Sequence, residues 1–175
     1  MDRFVDIVRA LSRLCGLIAA LLVISAILVV CEMVVMRYFL GQSTVWQTDY
    51  VTFSLVGATL IGSPYVLLLK GHVNVDLLPV YLGHRGRMVL ALIACCGGLA
   101  FSFVLFWTGT ELFHESVVGG WRTDTVWALP LWIPYLSLPI GIGLLVLQYV
   151  ADIIALLTGR DMPFAMDRHS ALEGE

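Results

Sequence analysis

Charge is scarce in this 175-residue sequence. Asp, Glu, Lys and Arg make up 13% of it, against 59% apolar residues and a mean hydropathy of +0.92. Soluble domains carry about 25% charged residues. A soluble fold of this composition could not cover its surface with polar groups, so the chain belongs in a bilayer. Basic runs are missing and the net charge is −3, which removes the clustered Lys and Arg that nucleic-acid binding needs. The four cysteines, Cys15, Cys31, Cys95 and Cys96, lie in apolar runs without CxxC spacing. They read as small packing residues and not as a disulfide framework. No GxSxG elbow, HExxH or Walker loop occurs, so no catalytic residue is assigned. Haem would need axial histidines within facing helices. His72, His84, His114 and His169 all fall outside the apolar runs, so no cofactor or metal is expected. Glu111, His114 and Glu115 read as a solvated interfacial face.

Long apolar runs are what the sequence has instead. Charge-free stretches cover residues 14–31, 50–69, 88–110 and 125–151. Crossing ~30 Å of hydrocarbon takes about 20 helical residues. Lipid cannot satisfy free backbone groups, so each run is helical. The alternation of a membrane barrel is absent. The first run is followed by Glu32, Arg37 and a second run, so it reads as a retained helix and not a cleaved signal. The expected fold is an all-α integral membrane protein, a single four-helix domain over residues 1–175. Its spans fall near 14–38, 46–69, 88–110 and 132–157.

Lys and Arg distribution orients the chain. Arg3, Arg9, Arg13, Lys70, Arg85, Arg87, Arg160 and Arg168 fall on one side, and Arg37 and Arg122 on the other. Both termini and the middle loop are therefore expected in the cytoplasm. Trp46, Trp107, Trp121, Trp127 and Trp132 cluster at the opposite face as an aromatic belt. Before the first span, Phe4, Ile7, Val8 and Leu11 share a helical face. That segment is either an interfacial helix or a plain extension of the span. The apolar loop 71–87 is expected to lie along the cytoplasmic surface, re-entrant or interfacial, or against a partner.

A very short connection at 40–45 makes the first two spans antiparallel neighbours. Arg37 and Asp49 are each six residues from Ser43, at one height, where they could pair or be solvated separately. Glu32, near the outer edge of the apolar layer, is costly there unless it faces water, protein or a cation. Arg37 is poorly placed for it on the same helix, so the partner is expected from another helix or chain. Ala58 and Gly62 allow close helix contact, and Pro64 frees a carbonyl that neighbours must satisfy. Pro134, Pro139, Gly141 and Gly143 should bend the last span. His72 and Asp76 are four apart and could touch on a helical turn. Polar midplane residues of the kind that mark a transport pathway are few, so an accessory role fits best. A redox-complex anchor and a small homodimeric exporter are the alternatives.

These residues carry a resemblance. Glu32-x4-Arg37-Tyr38, Ser43-x-x-Trp46-x-x-Asp49 and Gly57-Ala58 are followed by Lys70-Gly71-His72-Val73-x-Val75-Asp76-Leu77-Leu78, then Pro130-x-Trp132 and Pro139-x-Gly141. In this order the chain resembles the small membrane (DctQ) subunits of tripartite ATP-independent periplasmic (TRAP) transporters. The family pattern has Glu where this chain has Asp49, so the charge is kept on a shorter reach. The resemblance implies a separate large permease subunit that carries the substrate and ion sites, and a periplasmic substrate-binding protein. It also implies uptake of an organic anion across the bacterial inner membrane, driven by a sodium or proton gradient. It makes Glu32, Arg37, Trp46, Asp49, Gly57, Lys70, His72, Asp76 and Trp132 candidate interface or structural residues.

Overall fold

A computed structural model describes residues 2–69 and 84–157. Four helices long and apolar enough to cross a membrane account for most of them. Helix α1 spans Asp2–Phe39, α2 Val45–Leu68 and α3 His84–Val118. The fourth crossing is broken into a single turn, α4 (Trp132–Tyr135), and α5 (Ser137–Leu157). Among the described residues the extended pairing is confined to one isolated bridge, Arg122 with Pro130.

The proline pattern explains the break. Pro139 has no N–H to give the carbonyl of Tyr135, the residue at which α4 ends. Pro134 lies within the first turn of α4, where amide donors lack helical partners in any case. The disturbance is confined to that missing bond: Leu136 keeps right-handed helical backbone (φ −58°, ψ −26°), and its N–H still bonds Trp132 O at 3.0 Å.

Helix α1 is continuous from Asp2, so the N-terminal segment extends the first span. Val5, Val8, Ser12, Cys15 and Ala26 are its buried positions; the first four are spaced three, four and three apart and Ala26 follows about three turns on, so all lie on one side of the helix. Val5 and Val8 pack against Ala151 and Ile154 of α5. The large residues between, such as Ile7, Leu14, Leu21 and Leu28, are exposed on the outside of the helix cluster. Helix α3 begins at His84, inside the expected loop, and runs through Val118. The segment 111–118, expected as part of a connection, is therefore helix. It closes as a Schellman motif: Trp121 N–H bonds Ser116 O (3.2 Å) and Gly120 N–H bonds Val117 O (3.4 Å). Gly120 has φ +60°, the left-handed conformation this cap requires.

Helix α5 touches each of the other three long helices. Helices α1 and α2 pair along their length and both meet α5, whereas α3 packs on α5 and α4 without comparable contact with α1 or α2. The arrangement is a three-helix cluster with α3 as an outrigger. Small residues permit the close contacts. A Cβ on Gly62 would lie 3.1 Å from Ala19 Cβ, and one on Gly16 would enter the Tyr65 ring.

Candidate functional site

Two polar constellations stand out in an otherwise apolar molecule. The first is the end that holds the α1–α2 turn. Helix α1 stops at Gly41, whose φ is +58°, and α2 starts after Thr44. Thr44 is buried but does not cap its own helix. Its hydroxyl accepts from Arg37 Nη2 at 3.0 Å. Asp49 meets a different partner: Thr125 donates to its Oδ2 at 2.5 Å. Arg37 and Asp49 thus take separate hydroxyl partners and the ion pair considered from the sequence does not form. Glu32 takes its partner from α2, where Gln47 Nε2 donates to Oε2 at 3.3 Å.

The Thr125 contact belongs to a chain with one direction. An ionised carboxylate only accepts, so the Thr125 hydroxyl points at Asp49. Thr123, 3.0 Å from Thr125, then donates to it and accepts from Leu129 N–H at 3.0 Å. Backbone bonds Thr123 N to Leu129 O (3.0 Å) and Leu131 N to Trp121 O (2.9 Å) close the loop 121–131. Trp127 of that loop meets Trp46 of α2 edge to face, with centroids 6.3 Å apart. A folded loop is therefore fastened to the start of α2 by one carboxylate and one aromatic pair. Ala128 within it has φ +47°, which a non-glycine residue adopts at a cost.

The second constellation was not read from the sequence. Ser12 of α1 donates to Gln148 Oε1 of α5 at 2.7 Å, both side chains being buried. Gln148 Nε2 donates to Asp152 Oδ1 at 2.9 Å. Gln148 has no exposed surface. The available signal was a lone amide in a 27-residue charge-free run, one turn before Asp152. Tyr50 of α2 likewise donates to Ser25 of α1 at 3.0 Å.

The other sequence-derived candidates are placed as follows. Gly57 is buried, and a Cβ there would meet Leu22 at an ordinary 3.7 Å. Trp132 opens α4, partly exposed, beside Arg122 and Pro130. Lys70, His72 and Asp76 lie outside the described residues, as does the proposed His72–Asp76 contact. Pro64 leaves the Leu60 carbonyl without its helical donor, and the Ser63 hydroxyl fills the place at 2.8 Å. Gly141, rather than Gly57, makes the closest approach. Its Cβ would overlap Leu60 O and come within 2.6 Å of Leu60 C and 2.9 Å of Ile61 N. Among the described residues no group of three or more His, Cys, Asp or Glu gathers as a metal site.

These features define a multi-pass membrane protein whose buried polar groups fasten helix to helix. The family model for the DctQ component of tripartite ATP-independent periplasmic transporters matches residues 26–159, and the chain belongs to that family. It is 26% identical over 148 residues to the C4-dicarboxylate TRAP transporter small permease protein DctQ of Vibrio cholerae serotype O1, covering 73% of this chain and 64% of the relative. The chain thus spans a little under two thirds of the length of the curated relative it matches. No solved structure matches. The family is a transporter component and not an enzyme family. Together with the four apolar helices this makes the chain a multi-pass inner-membrane protein.

Proposed function

We propose that the chain is the small permease subunit of a TRAP-type secondary transporter, acting as one four-helix unit. It enlarges the fixed frame beside a large permease subunit while ion-gradient-driven uptake of an organic anion takes place in that partner. The observation that carries this reading is where its polar groups go. Ser12, Gln148, Tyr50, Ser25, Arg37 and Asp49 are engaged in holding helices and the loop together, which suits a frame that stays still while another part moves. The outrigger position of α3 leaves apolar faces for a larger membrane partner to cover.

The excess of Lys and Arg near the termini and at 70–87 supports both termini in the cytoplasm. The α1–α2 turn and the loop 121–131 then face the periplasm, where a substrate-binding protein docks. Glu32, Arg37, Trp46, Asp49 and Trp132 are the rim residues of that side, Gly57 is a packing residue below them, and Lys70, His72 and Asp76 fall on the cytoplasmic side. Extraction in mild detergent tests the reading. The tagged chain should copurify with a large multi-span protein, and a clean monomer that never captures one would count against it.

A further inference from the structure

We infer that Glu32 is the receptor for an arginine guanidinium of the large permease subunit, an inference that rests on the function proposed above. Glu32 is exposed, and so are the residues one turn away on either side, Leu28 at 65% and Val35 at 50%. Leu21 and Ile24 continue that face at 57% and 53%. The carboxylate therefore stands in the outward apolar stripe of α1, about 7 Å further into the apolar layer than Arg37. A carboxylate there is costly against acyl chains and calls for a partner charge.

The chain itself supplies orientation and no neutralisation. Among the described residues the hydrogen-bond partner of Glu32 is the neutral amide of Gln47, and Arg37, the cation nearest in sequence, is turned to Thr44. Gln47 is 3% exposed, and its Oε1 is buried without a hydrogen-bond partner among the described residues. A buried amide is held there in the orientation that gives its N–H to the carboxylate, at the cost of its own acceptor. That fixes Glu32 on its inner side and leaves carboxylate lone pairs directed outward. A guanidinium matches them: it is planar, weakly hydrated and forked, so it can bridge both oxygens where an ammonium would act as a point charge.

The test is co-expression of the tagged chain with the large permease, mild extraction and measurement of captured permease. Wild-type capture must be seen first; its absence would sink the proposed function itself. Given capture, Glu32→Lys should reduce it at least about tenfold, with a smaller loss for Glu32→Gln, at unchanged expression and helicity. Changing one outer-leaflet arginine of the permease to Glu should restore capture by Glu32→Lys. Glu32→Gln is near isosteric and easier to insert, so it serves where Glu32→Lys does not accumulate. Wild-type capture by Glu32→Gln overturns the inference and leaves the proposed function standing. So does a Glu32→Lys defect that no arginine exchange repairs, or a loss of copurifying aminophospholipid with permease capture intact.

Discussion

Gly141 of α5 packs against the carbonyl of Leu60 in α2, the group that Pro64 deprives of its helical donor and Ser63 caps. Proline, serine and glycine on two helices thus make one contact. The backbones approach because α5 has no side chain there.

Gly141→Ala should therefore be costly, because the added methyl meets backbone and not a flexible side chain. Overpacking of this kind costs roughly 1–3 kcal/mol. Gly57→Ala, whose methyl would find Leu22 at 3.7 Å, should be close to neutral. Thermal unfolding of both variants in one detergent checks the contrast. Equal midpoints would contradict the packing described.

Ser12 and Gln148 should be energetically coupled. In the double-mutant cycle of Ser12→Ala and Gln148→Leu, the coupling should be about 0.6 kcal/mol and at most ~1.7 kcal/mol, the range for hydrogen bonds between membrane helices. Reversible unfolding in mixed micelles measures it. Additive losses would mean that the 2.7 Å bond does not hold α1 to α5.

How much of this was legible follows from the solvent. Long uncharged runs reveal spans because lipid demands them, and Pro134 and Pro139 marked the disturbed fourth crossing. Which face of each helix turns inward was hidden, since Leu facing lipid and Leu facing protein look alike. The inward face of α1 is marked by Ser12, Cys15 and Ala26, small or weakly polar residues that hydropathy passes over. Asp49 was legible as a charge at the membrane edge, but its partner Thr125, 76 residues away, was not. Short-range spacing offered Arg37 as a partner or separate solvation, and neither points to Thr125. The same limit hid Gln47 and Gln148, uncharged residues whose importance comes from burial.

Thr125→Val should loosen the loop 121–131 by removing the donor to Asp49. A hydrogen bond to a charged group contributes about 1.5–3 kcal/mol, so trypsin cleavage after the exposed Arg122 should quicken by about tenfold or more. Asp49→Asn, which can still accept, should do less. Unchanged cleavage in Thr125→Val would show that the loop is held by other contacts.

Ala128→Gly should act in the opposite direction. Left-handed backbone costs a non-glycine residue roughly 1–2 kcal/mol, partly offset by the ~0.4–1 kcal/mol that glycine loses through its freer unfolded chain. A small net stabilisation and slower cleavage at Arg122 are expected. Ala128→Val should do the reverse, and no difference between the two would contradict the φ of +47°.

Reconstitution tests most directly the central proposal that the chain is a frame for transport and not its pathway. Liposomes holding the large permease and this chain, supplied with the binding protein and an ion gradient, should accumulate the organic anion. Liposomes with the chain alone should not, and those with the large permease and binding protein but without this chain should be strongly impaired. Uptake by the chain alone, or full uptake without it, would contradict the account.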